Sequence, residues 1–135
     1  MRSNAWQSRL PHIAVASLLL LVCAAGCRSA QEQALAEAKL RVGGDPARGV
    51  TLMQHFGCGG CHRIPGVAGA AGRSAPSLGY LPQEAYITGN LPNTPENVMR
   101  WIRSPRSIQP QTHMPELGIS VAEARDITTY LWSLR

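Results

Sequence analysis

The sequence predicts one small helical domain, and three observations carry that prediction. Three segments repeat their apolar residues with a helical period, and each is opened by a side chain suited to capping a helix. The stretches between them are rich in glycine and proline and have no period of their own. The first of these helices also places a glycine, Gly49, on its apolar face, where another helix can approach closely.

Ahead of that domain, residues 1–26 of the 135-residue chain read as a bacterial export signal. Arg2, Arg9 and His12 form a polar, basic start, and an apolar run extends from Ile13 to Ala25. The run is shorter than the roughly 20 apolar residues that cross a bilayer comfortably. It ends in Ala24-Ala25-Gly26-Cys27, which resembles a lipoprotein processing site. In that reading the signal is cut before Cys27, whose thiol and new amino terminus carry acyl chains, and more than one buried chain makes a stable anchor. Ordinary cleavage at the small residues and retention as an uncleaved anchor are the alternatives. Gln31 to Arg41 then consists of good helix formers without a continuous apolar face, and Gly43-Gly44 breaks it. The expected organisation is a signal over 1–26, a partly helical tether over 27–43 and the domain over 44–135. No internal repeat or second domain is evident.

The first domain helix opens on Asp45 as N-cap with Pro46 behind it. Gly49, Leu52, Met53 and Phe56 fall at i, i+3, i+4 and i+7, and Gly57 ends the helix. A second helix begins at Thr94-Pro95-Glu96, presents Val98, Trp101 and Ile102, and stops before Pro105. The last begins at Ser120 with Glu123 completing a capping box, and Ala124, Ile127, Leu131 and Leu134 form its apolar face.

Between the first two helices stands Cys58-Gly59-Gly60-Cys61-His62. Two thiols at this spacing can add across the two vinyl groups of one porphyrin, with the adjacent imidazole placed beneath the iron. A thioredoxin-like motif would want a βαβ setting, which the flanks do not provide. Structural zinc would need further ligands at zinc-finger spacing, which His55 and His113 do not supply. The motif therefore predicts one covalently attached haem c. Aromatic residues are only 5% of the chain, and a bound porphyrin would enlarge an otherwise thin core.

Residues 63–81 have no period, and a loop of that length in a compact domain ordinarily lines a site. Ala75-Pro76-Ser77-Leu78 is where the chain is expected to return under the ring. There the Pro76 carbonyl can accept from His62 Nδ1–H and Leu78 can pack on the haem face. For the sixth ligand, Met53 and Met99 lie within helices and His55 is too near His62 to cross the ring. Met114, in the extended segment Gln111-Thr112-His113-Met114-Pro115, is favoured, with His113 as its competitor. A His/Met pair raises the potential relative to two histidines and leaves the iron no open position.

Charge adds little. The net charge of +5 falls to +3 when Arg2 and Arg9 leave with the signal, and the remaining basic residues are scattered. This mild balance favours an acidic docking surface and does not point to nucleic acid.

From about residue 44 onward the chain resembles a class I, mitochondrial-type cytochrome c. The resemblance rests on Gly49, CGGCH at 58–62, Pro76 and Leu78, the Thr112/Met114/Pro115 loop and Tyr130-Leu131. It implies an all-α fold with crossed N- and C-terminal helices around one covalent haem. It further implies Trp101 beside the haem and Thr112 bonded to a propionate. CGGCHRIPG, LPNTPENVMRWIRSP and MPELGIS are similar to the cytochrome domains of caa3-type haem–copper oxidases. A ring of docking lysines is absent, since Lys39 is the only lysine, so Arg63, Arg73, Arg100, Arg103 and Arg106 are candidates for positive charge near the haem edge.

The expected function is single-electron transfer by a non-enzymatic carrier on the periplasmic or extracytoplasmic side of a bacterial membrane. Its partners would be an electron-donor complex and a terminal oxidase of a respiratory chain. A haem enzyme or gas-binding sensor with a labile sixth ligand is the alternative.

Overall fold

A computed structural model describes residues 30–134; the segment expected to be an export signal and Cys27 lie outside the described residues. Among the described residues, 34–134 form one compact unit. Among the described residues no helix is long and apolar enough to cross a membrane.

Helix α1 covers residues 30–42. Part of the expected tether therefore lies in a helix with a buried side: Ala34 and Ala38 are only 2% and 3% exposed. Helix α2 is Pro46–His55, and its N-cap Asp45 accepts from the backbone N–H groups of Ala47 and Arg48 at 2.9 and 3.3 Å. Helix α3, Pro95–Arg103, is capped by Thr94, which accepts from Asn97 N–H at 3.2 Å. Pro105 then opens the short helix α4, Pro105–Ile108. Helix α5, Val121–Leu131, starts with the expected reciprocal box. Glu123 N–H donates to the Ser120 hydroxyl at 3.3 Å, and Ser120 N–H donates to the Glu123 carboxylate at 2.9 Å.

Helices α2 and α5 cross as expected, and Gly49 is the reason they can. A Cβ at Gly49 would run into the Asp126 carbonyl and come within 3.2 Å of Ile127 Cα. Side chains of α5 also hold the entry to α2. Gly44 N–H donates to the Thr129 hydroxyl at 3.1 Å, and Asp45 N–H donates to Asp126 Oδ1 at 2.8 Å. Arg48 lies 3.3 Å from Asp126 Oδ2. Helix α3 packs on α5 as well, so Asp126 through Thr129 are all buried, along with Ala124 and Leu131. Met53, Val98, Ile102 and Ile127 anchor the shared core. Full burial of such side chains contributes roughly 1.5–3 kcal/mol each.

Two short strands depart from the all-helical expectation. β1 (Tyr86–Thr88) and β2 (Leu91–Pro92) form an antiparallel hairpin turned by Gly89, whose φ is +49°. The Asn93 side-chain amide donates to the carbonyls of Leu81 and Glu84, which ties the hairpin to the 3-10 turn Leu81–Gln83. These elements lie in the long connection between α2 and α3.

Candidate functional site

The site begins where α2 runs out. Phe56 N–H still reaches the Leu52 carbonyl, and Gly57 then turns left-handed at φ +70°. Cys58–Gly60 forms a single 3-10 turn, and the Cys58 carbonyl accepts from both Cys61 N–H (3.3 Å) and His62 N–H (3.0 Å). One tight turn thus carries both thiols and the imidazole. Cys58 is half-buried and Cys61 exposed, and they are not joined as a disulfide. Burial pushes the Cys58 thiol up, with a smaller push from the neighbouring Cys61.

The loop after the motif folds back onto it through backbone bonds. Gly72 N–H donates to the Gly59 carbonyl at 3.0 Å, Ala75 N–H to Cys61 at 3.1 Å, and Leu78 N–H to Arg63 at 2.9 Å. This lacing delivers Pro76 to the histidine, and His62 Nδ1 lies 2.7 Å from the Pro76 carbonyl oxygen. A carbonyl only accepts, so Nδ1 carries a proton, and in the neutral ring the lone pair is on Nε2. The C-terminal helix steadies the same loop, because the Tyr130 hydroxyl donates to the Pro65 carbonyl at 2.7 Å. Gly66, at φ +74°, leaves room for that hydroxyl. Burial raises the Tyr130 phenol above its ordinary value.

On the far side of the sequence, Thr112 and Met114 form a small turn of their own. Met114 N–H donates to the Thr112 hydroxyl at 3.2 Å, and Thr112 N–H to the Gln109 carbonyl at 3.0 Å. Thr112 is therefore first of all a cap for the Met114 backbone, and its hydroxyl hydrogen is left available to a second acceptor. Met114, Leu78 and Met99 are half-buried and pack against the core, whereas Met53 is only 1% exposed within it. Trp101 is half-buried on α3 beside Ile102, and His113 is exposed.

The structure thus joins Cys58, Cys61, His62, Pro76 and Leu78 in one bonded loop system and pairs Thr112 with Met114. Sequence reasoning had no role for the Tyr130 hydroxyl or for Asp126. A glycine directly after Pro65 is a sign that something comes close, but nothing in the sequence names Tyr130 as the group. The donor set fits a haem. It offers two unpaired thiols on one turn, an imidazole with Nδ1 engaged and Nε2 free, and half-buried apolar side chains in place of a finished core.

Residues 46–135 match the cytochrome c family. The chain is 32% identical over 89 residues to cytochrome c oxidase subunit 2 of Alkalihalophilus pseudofirmus, covering 65% of this chain. It spans about a quarter (25%) of the length of that relative. No solved structure matches. The family match covers the whole bonded loop system, the Met114 turn and both crossed helices. The chain belongs to the cytochrome c family, as a class I member that carries electrons on one covalently attached haem c.

Proposed function

We propose that this protein transfers single electrons in a respiratory chain on the extracytoplasmic face of a bacterial membrane, with a terminal oxidase as acceptor and a lipid anchor at Cys27. The observation that carries the site assignment is the 2.7 Å approach of His62 Nδ1 to the Pro76 carbonyl, because it fixes the tautomer a ligating histidine needs. Haem c supplies an Fe(III)/Fe(II) couple. Cys58 and Cys61 would hold it by thioether bonds, and His62 would ligate it through Nε2. Pro76 orients that ring and would raise its basicity, and Leu78 and Trp101 would exclude water from the haem. Met114, held at its backbone by the Thr112 hydroxyl, would supply the second protein ligand to the iron. A thioether together with an imidazole would favour the reduced state relative to two imidazoles.

The oxidase assignment is supported by the 32% identity to a protein named as an oxidase subunit. The apolar run ending at Cys27 supports export and anchoring.

The test is spectroscopic. Ferric protein is expected to show the near-infrared methionine–iron charge-transfer band, and Met114→Ala is expected to abolish it while leaving haem attached. Ready carbon monoxide binding by the ferrous wild type would overturn the carrier assignment in favour of a labile site. Mass spectrometry of the membrane-bound protein should find acyl chains on Cys27.

A further inference from the structure

The stretch expected to be a tether carries contacts that a spacer does not need. Ala34 and Ala38 are buried, and the Arg41 guanidinium lies 4.4 Å from the centroid of the Trp132 ring. Positions 34, 38 and 41 recur at i, i+4 and i+7 and share one side of α1. Trp132 is the C-cap of α5, the helix on which α2 and α3 also pack. Alanine is the best helix former and loses no rotamer freedom on burial, so an alanine stripe lets a helix lie close to its support at little entropic cost. A guanidinium over an indole adds about 0.5–1 kcal/mol where the pair is partly exposed.

We infer that α1 from Ala34 onward is a built-in clamp of the cytochrome domain, so that the link from Cys27 to the domain is no longer than residues 28–33. The inference rests on the reading of Cys27 as the membrane anchor. Six residues extend at most about 20 Å, whereas the seventeen of the expected tether would reach about 60 Å. The short link holds the domain at the lipid surface. It suits a redox partner fixed in the same membrane, whose centre stands near that surface, and not one that must be sought at a distance. Effective concentration falls roughly as the −3/2 power of linker length, so the shorter link raises encounters with such a neighbour about fivefold.

Full-length haem-loaded protein is placed on phosphatidylglycerol/phosphatidylethanolamine vesicles carrying a headgroup fluorophore that emits within the haem absorption bands. Wild type is expected to quench the fluorophore strongly. Insertion of twenty Gly/Ser residues between Ser29 and Ala30 is expected to weaken quenching several-fold, and equal quenching by the two proteins overturns the inference. Hydrogen exchange separates the clamp from the anchor. Amides 34–42 are expected to be protected in wild type and to lose protection in Ala38→Glu/Arg41→Ala, with the haem spectrum unchanged. Free-peptide exchange rates across 34–42 in wild type overturn the clamp, whatever happens at Cys27. An unacylated Cys27 in protein whose 34–42 amides are protected instead overturns the anchor reading, and the lipid leash with it.

Discussion

Across 65 residues of chain, the Tyr130 hydroxyl donates to the Pro65 carbonyl and fastens the last helix to the loop that orients His62. Tyr130→Phe removes that bond and is expected to cost about 1 kcal/mol. For a domain of this size that lowers the melting temperature by about 5 °C. Burial raises the phenol above its ordinary value of 10, so the unfolded chain ionises first as pH rises. The folded state then binds the extra proton, and wild-type stability declines from about pH 10 upward. Thermal melts between pH 8 and 11 should show that decline in wild type and a shallower one in Tyr130→Phe.

Gly49→Val places side-chain atoms where the Asp126 carbonyl lies, and neither backbone is free to give. Overpacking of this kind costs about 1–3 kcal/mol. Urea midpoints should fall accordingly, and Gly60→Ala, where a Cβ meets nothing within 4 Å, should change them little.

Asp126 and Arg48 make an unequal pair. The Asp126 side chain is 9% exposed and also accepts from Asp45 N–H, whereas the Arg48 side chain is 56% exposed. Arg48 stands 3.3 Å from Oδ2 without hydrogen-bond alignment. Asp126→Ala is expected to cost about 1–3 kcal/mol because it orphans a backbone donor. Arg48→Ala should cost less than about 1 kcal/mol, as exposed ion pairs do. Chemical denaturation of the two variants gives the comparison directly.

Hydrogen bonds from Ser120, first its hydroxyl and then its backbone N–H, hold the Glu123 carboxyl below its ordinary value of 4.5. The stabilisation is present above that value and is lost as pH falls through the lower folded value. Acid unfolding monitored by far-ultraviolet circular dichroism should begin at higher pH in Ser120→Ala than in wild type.

Thr112→Val removes the acceptor for Met114 N–H. With Met114 as ligand, the variant is expected to keep its haem but lose the near-infrared methionine band at a lower alkaline pH. A pH titration of that band measures the shift.

What could be read from the sequence was whatever is written locally. Asp45, Thr94 and Ser120 cap helices because a short polar side chain reaches N–H groups two or three residues on, and that reach does not depend on the rest of the fold. CGGCH is local in the same sense. Gly49 could be read because only close approach explains a glycine on an apolar helical face. Asp126 could not: a carboxylate in a capped helix looks like solvated surface until the start of α2 is laid against it. The alanine stripe of α1 escaped for a related reason, since Ala34 and Ala38 register as helix propensity and not as an apolar face. The hairpin was signalled by Gly89-Asn90 between Ile87-Thr88 and Leu91, but strands of two and three residues are too short to display alternation.

The bond between Gly44 and Thr129 spans 85 residues and belongs to the crossing of α2 with α5. Helices so far apart in the chain cannot hold one another until the segment carrying Thr129 has been delivered alongside the one carrying Gly44. Contacts of such long range are also the slow ones to form. The two thiols of CGGCH emerge some seventy residues before that moment. They are therefore presented on an open chain, and the porphyrin can be joined to them before there is any interior for it to enter.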